Sequence, residues 1–248
     1  MDQSLNEQIA WACRILAMGG HGDFTLGHVS ARDGVRVLMK RNHIGLEEVE
    51  PEDVLTIDLD ARKITGEGRV HLEAVLHTEV YKVRPDVGSV IHTHPPYTTA
   101  LAATGAKLEL LNHDAVLFKD GLASFDETAE LITRAEQGAA VARALGDKRA
   151  VLMRGHGVLV TGKTVPWAVY TALTLERVVR IQSIARSLGD LRPMSPEMAE
   201  QVYPDKYRDE FIDTYWDYLI RQVKRAGLDD GMPWSLPEDA YAEPIRHP

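Results

Sequence analysis

The sequence predicts one α/β domain, on three observations. Short apolar runs of strand length alternate with stretches whose apolar residues recur at helical spacing. Turn-forming clusters of Gly, Pro and Asp separate them. The 248 residues, 44% hydrophobic and 26% charged, show no internal repeat, low-complexity tract or obvious linker. Residues 1–248 therefore read as a single unit able to bury its own core, with 190–248 as a C-terminal helical arm.

Each element has its own signal. From Leu5 to Met18, Ile9, Cys13, Leu16 and Ala17 form a helical stripe that Gly19 and Gly20 end. The runs HVSAR, VRVLMK and VLTIDLD follow as strands, separated by turns. Glu73 to Val83 is a helix stopped by Arg84-Pro85-Asp86. VGSVIHTH is a buried strand that Pro95 and Pro96 must terminate, having no N–H for a ladder. PYTTALAATG reads as a short helix, LELLNHDAVLF as a strand and DETAELITRAEQGAAVARALG as an amphipathic helix. RAVLMRGHGVLVTG reads as strand, Val165 to Leu188 as a long helix, and YPDKYRDEFIDTYWDYLIRQVKRAG as a terminal one.

Composition excludes several functions. A net charge of −9 leaves no basic stripe for a general nucleic-acid binder. Cys13 is the only cysteine, so no disulfide framework exists and a reducing compartment fits. The N-terminus MDQSLNEQ carries acids where a signal peptide needs positive charge. No apolar run approaches the roughly 18 residues of a spanning helix. The expectation is a cytoplasmic protein without nucleic-acid or membrane partners.

The chemistry gathers around histidines. In an extended strand, residues i and i+2 share a face, so His92 and His94 project side by side at a strand mouth. His156 stands between Gly155 and Gly157 in an apolar run, where glycines admit close neighbours. Three histidines with one position left open suit a catalytic divalent metal, while each taken singly reads as readily as a core histidine. Glu73 opens the helix before the His92 strand. It is either a proton shuttle or a plain N-terminal acid favoured by the helix dipole.

GHVSARDG, HLEAVLHTEVYKVRPDVGSVIHTHPPYTTALA and VLMRGHGVLVTG together resemble the class II aldolase/adducin family, over about residues 5–190. The resemblance implies a three-layer α/β/α fold with a central, mainly antiparallel sheet. It also implies a homotetramer with interfacial active sites and one divalent metal ion per subunit. Zn2+ and Mn2+ lead as candidates, with Fe2+ and Co2+ as alternatives. The metal ligands fall on His92, His94 and His156, and proton transfer falls on Glu73. Adducin-like members that have lost catalysis lack some of these residues, and this chain keeps all four.

The family's sugar-phosphate aldolases cradle a phosphate with GN.S, T.(S/T)G and serine-pair loops. Here those places hold Gly27-His28-Val29-Ser30, KRNHIG and His71-Leu72. The candidate substrate-binding set is His28, Ser30, Arg41, Asn42, His43 and His71; all but Ser30 are bulkier than the family's small residues and suited to carboxylates and phenolates. Taken one at a time, Arg41 and His43 read as easily as solvated loop residues. GH.S resembles the branch containing decarboxylases of hydroxylated aromatic or pyridine dicarboxylates. Asn112-His113-Asp114 offers a second catalytic acid in His113, or else a turn cluster. The leading reading is a metal-dependent decarboxylase of a small carboxylate. An aldolase acting on a hydroxy-keto acid or sugar, a non-catalytic adducin-like module and an iron oxygenase stay open.

Overall fold

A computed structural model describes residues 3–232. Ser4 caps the first helix, α1 (Leu5–Leu16), with its Oγ accepting from Glu7 N–H while the Glu7 carboxylate takes the Ser4 N–H. The helix then widens into a π turn, Ala17–His21, with Gly20 at φ 84°. Among the described residues the eight strands are β1 (His28–Asp33), β2 (Arg36–Lys40), β3 (Val54–Ile57), β4 (Lys63–Thr65), β5 (Ser89–Thr93), β6 (Ala123–Phe125), β7 (Ala150–Met153) and β8 (Gly157–Gly162). They form one sheet in the order β4-β3-β2-β1-β5-β8-β7-β6. Every pairing is antiparallel except the parallel β6–β7.

The other helices are α2 (Val75–Val83), α3 (Pro96–Ala102), α4 (Ala135–Leu145), α5 (Val165–Leu188), α6 (Pro196–Lys206) and α7 (Asp209–Arg225). Strand alternation divides the core into two layers. Val29, Ile91, Val158 and Val160 pack on one face with α1, α3, α5 and α7. Val37, Met39, Val90 and Leu159 pack on the other with α2 and α4. The predicted three-layer α/β/α architecture is the fold observed. His28 pairs with His92, and Ser30 with Val90. All four therefore face α2, and this register builds the site.

Four sequence assignments change. LELLNHDAVLF is not a strand. Its first part crosses α5, with Glu109 N–H donating to Gln182 and Leu110 C=O accepting from Met194 N–H. The rest is a 3-10 turn, His113–Phe118, capped by Asn112. The helix expected from Asp126 begins only at Ala135, because the Gln137 side chain takes the N–H groups of Thr133 and Arg134. His156 lies in the turn between β7 and β8 rather than inside a strand. The single terminal helix is two, α6 and α7, broken where Tyr207 ties its hydroxyl to the carbonyls of His113 and Asp114. The arm expected to run to 248 lies outside the described residues beyond 232. Among the described residues no helix is long and apolar enough to cross a membrane.

Candidate functional site

The site forms where β5, the β7–β8 turn and the entry to α2 converge. His92 and His94 project side by side with their Nε2 atoms 3.2 Å apart. Thr93 points away, its hydroxyl bonded to His21 Nδ1. Gly157 is required here, because a Cβ at that position would stand 2.4 Å from His94 Cδ2 and 2.7 Å from the Thr93 carbonyl. The close neighbour admitted by the glycine is His94 itself. Gly155, at φ 70°, completes the turn that presents His156. One ring nitrogen each from His92, His94 and His156 lies within 4.8 Å of the others.

These nitrogens fit a cation. His92 Nδ1 lies 3.0 Å from the Val158 carbonyl, so it carries the hydrogen and leaves Nε2 bare. Asp23 Oδ2 lies 3.2 Å from His94 Nδ1, close enough for an ion pair though not aligned as a hydrogen bond, and favours the proton on that nitrogen. Two bare Nε2 atoms then face each other, an arrangement a cation relieves. Without one, His94 must carry its hydrogen on Nε2 and turn a bare Nδ1 to a carboxylate. The set is three imidazoles with an open side, the chemistry of a catalytic divalent site. A second group of three, His28, Glu73 and His92, meets the same distance test.

Glu73 sits in the turn before α2 rather than in its first helical turn. Its Oε1 accepts from Ile132 N–H at 2.9 Å and lies 3.5 Å from His156 Nε2. Oε2 faces His92 Nε2 at 3.8 Å and His28 Nε2 at 3.9 Å, beyond hydrogen-bond reach of either. Burial pushes this carboxyl up, but the His156 N–H, the neighbouring His92 ring and the Ile132 amide together bring it down to about 2. Glu73 is a carboxylate with one oxygen anchored and one unengaged.

Beside these groups opens a cavity of about 420 Å3 lined by Asn42, His71, Glu73, His94 and His156, with Leu26, Leu72 and Leu131 among its apolar walls. The three leucines are exposed at 51%, 66% and 57%, so the mouth of the cavity is apolar while its floor is polar. His71 Nε2 is 3.3 Å from the ammonium of Lys40, a wholly buried residue. Burial and the Lys40 charge bring His71 down to about 3, and burial lowers Lys40 to about 8.

The expected substrate-binding set divides. Asn42 and His71 line the cavity. His28 is buried behind it, against Glu73 and His92. Ser30 lies deeper still, bonded to His77 and Tyr81. Arg41 is engaged elsewhere, its Nε donating to Asp53 Oδ1 at 2.6 Å, and His43 is exposed at φ 67°. Neither Arg41 nor His43 lines the cavity. His113 is exposed on its 3-10 turn beside α6 and is also absent from the lining. Sequence reasoning missed Asp23, Lys40 and His77. The spacing of His77 from Glu73, i and i+4, was a signal that could have found it.

Burial makes this histidine cluster acid-sensitive. His77 is lowered to about 3 and His21 to about 4, each by burial. Below the ordinary value of 6.5 the unfolded chain takes up these protons while the folded chain does not, so stability falls as pH drops. His77 alone should cost about 2 kcal/mol between neutrality and pH 5, at 1.36 kcal/mol per unit. Urea midpoints at pH 7.5 and pH 5 measure this. Equal midpoints would mean that the folded protein accepts the proton.

The family model described as "Class II Aldolase and Adducin N-terminal domain" matches residues 7–183. The chain belongs to this family. Among its relatives, a 3,4-dihydroxyphthalate decarboxylase from Arthrobacter keyseri is 29% identical over 233 residues, 89% of this chain and 94% of that protein. Decarboxylase NovR from Streptomyces niveus is 31% identical over 153 residues, 61% of this chain and 57% of its own. Among solved structures, L-fuculose 1-phosphate aldolase from Glaciozyma antarctica PI12 superposes with a TM-score of 0.78 at 21% identity, covering 89% of this chain and 90% of that one. That likeness shows the fold. This class II aldolase-family chain thus has decarboxylase relatives near 30% identity and a histidine cluster able to hold a metal.

Proposed function

We propose that the chain is a metal-dependent carbon–carbon lyase that decarboxylates a small, unphosphorylated hydroxy-aromatic or heteroaromatic dicarboxylate. The observation that carries the reading is the cavity itself, with apolar leucine walls for a flat ring above a floor of Glu73, His71, His94 and His156. The alignment with the Arthrobacter decarboxylase, over nearly the whole of both chains, supports it. The loops that would wrap a phosphate carry His28, Asn42 and His71 in place of small hydroxyls. On this reading the protein works in the cytoplasm as a homotetramer. His113, the candidate second acid, lies exposed and outside this chain's cavity, and stays second to Glu73.

A divalent ion on His92, His94 and His156, with Zn2+ and Mn2+ the leading candidates, would stabilise negative charge on adjacent substrate oxygens. Glu73 Oε2 takes the proton of the ring hydroxyl and delivers it to the carboxylate-bearing carbon, giving the keto tautomer. The bond to the carboxylate then breaks, its electron pair returns to the ring and the ring oxygen, and CO2 leaves. Solvent restores the hydroxyl proton. His71, with Lys40 behind it, offers a donor to the remaining carboxylate.

The test compares CO2 release from 3,4-dihydroxyphthalate and related ortho-hydroxylated dicarboxylates with aldehyde release from free and phosphorylated keto sugars. Turnover confined to the aromatic acids is the expected result. Cleavage of a sugar phosphate as efficient as any unphosphorylated acid would replace the decarboxylase reading with an aldolase.

A further inference from the structure

Behind the cavity runs a chain of four buried polar side chains. His28 and Ser30 stand at i and i+2 on β1, and His77 and Tyr81 at i and i+4 on α2, so each pair shares a face. The pairs meet closely. His28 Nδ1 is 2.6 Å from His77 Nε2, His77 Nδ1 is 2.7 Å from Ser30 Oγ, and Ser30 Oγ is 2.8 Å from the Tyr81 hydroxyl. None of the four is more than 2% exposed.

Only one direction satisfies every hydrogen. Among the described residues the Tyr81 hydroxyl has one side-chain acceptor within reach, Ser30 Oγ, and so donates to it. Ser30 then gives its own hydrogen to His77 Nδ1, and His77 Nε2–H donates to His28 Nδ1. His28 is left with its hydrogen on Nε2, on the side of the Glu73 carboxylate. Run backwards, the chain would leave the Tyr81 hydrogen without a side-chain acceptor.

We propose that His77 and Ser30, anchored by Tyr81, are positioning residues that lock His28 in its Nε2–H tautomer. His28 thereby presents a neutral donor to an anionic substrate oxygen beside Glu73. Assigning that oxygen to the departing carboxylate rests on the decarboxylase reading, whereas the lock does not. The chain is a clamp and not a proton wire. Its inner end, Tyr81, has no route to solvent, and burial holds its phenol protonated well above the ordinary range. His71 packs on the other side of the His28 ring, with centroids 4.4 Å apart, and leaves it little room to turn.

Long-range 1H–15N correlation spectra of histidine-labelled, Zn2+-loaded protein test the lock. His28 and His77 should both show the neutral Nε2–H pattern, with the His77 Nε2 proton shifted far downfield by its short bond. Ser30→Ala should mix the tautomers of both rings. It should also raise KM for 3,4-dihydroxyphthalate roughly tenfold, about the weight of one hydrogen bond, at unchanged kcat and zinc content. An Nδ1–H His28 in the wild-type spectrum overturns the proposal, and so does a Ser30→Ala protein with unaltered tautomers or unaltered KM. If Ser30→Ala does not fold, the wild-type spectrum decides alone. If 3,4-dihydroxyphthalate is not turned over, the decarboxylase reading fails, and the spectra of both proteins still decide the lock.

Discussion

Alanine at His92, His94 or His156 should each remove stoichiometric divalent metal, and turnover with it. In the proposed site each ring would supply one of three protein nitrogens, and two imidazoles do not hold a catalytic ion against solvent. The three variants should differ in what else they lose. His92 is wholly buried and donates to the Val158 carbonyl, so its removal strands an acceptor and should cost roughly 1–3 kcal/mol of stability. His156 lies on a turn and is partly exposed, so its removal should cost little stability beyond what the lost ion contributed. Metal analysis of the purified proteins, with urea titration alongside, separates the two effects. Full occupancy in His156→Ala would move the ion to the neighbouring group of His28, Glu73 and His92. In that case His28→Ala becomes the variant that empties the site.

Much of this site was legible because it depends on local periodicity. The side-by-side placement of His92 and His94 follows from a two-residue repeat and from prolines that can only end the strand. The long helix α5 matched its expected bounds, Val165–Leu188, because its start is set by Thr164 and Pro166 and its end by Gly189. What sequence could not show was competition between groups distant in the chain. Arg41 looks like an anchor for a carboxylate until Asp53, twelve residues on, is found to hold its Nε. Lys40 reads as the outer end of a strand, yet the fold buries it against His71. Gly155-His156-Gly157 in an apolar run is compatible with a continuous strand or a hairpin. Only the pairing of Met153 with Gly157 shows that the chain reverses there. β4 and β6 are three residues each, too short for any periodic signal, and owe their strand geometry to the neighbours they pair with.

Glu73→Gln should lower kcat by roughly 10²–10⁴, the range for losing a positioned proton carrier, with little change in KM. The amide has the shape of the carboxyl, and its oxygen can still accept from Ile132 N–H, as Oε1 does now at 2.9 Å. What disappears is the unengaged, negatively charged Oε2 facing His28 and His92. With the wild-type carboxyl held down at about 2, the group starts each turnover ionised at any pH above about 4. It must therefore gain its proton from the substrate before giving it to carbon. The wild-type rate should accordingly show no acidic limb from Glu73 between pH 5 and pH 8, and the glutamine variant should be slow across that whole window. Metal content separates this role from ligation: a metal-replete, slow Glu73→Gln protein is the signature of a proton carrier. Loss of metal together with activity would instead make Glu73 a ligand. A wild-type rate would hand the proton to another group, with His113 next to be tested.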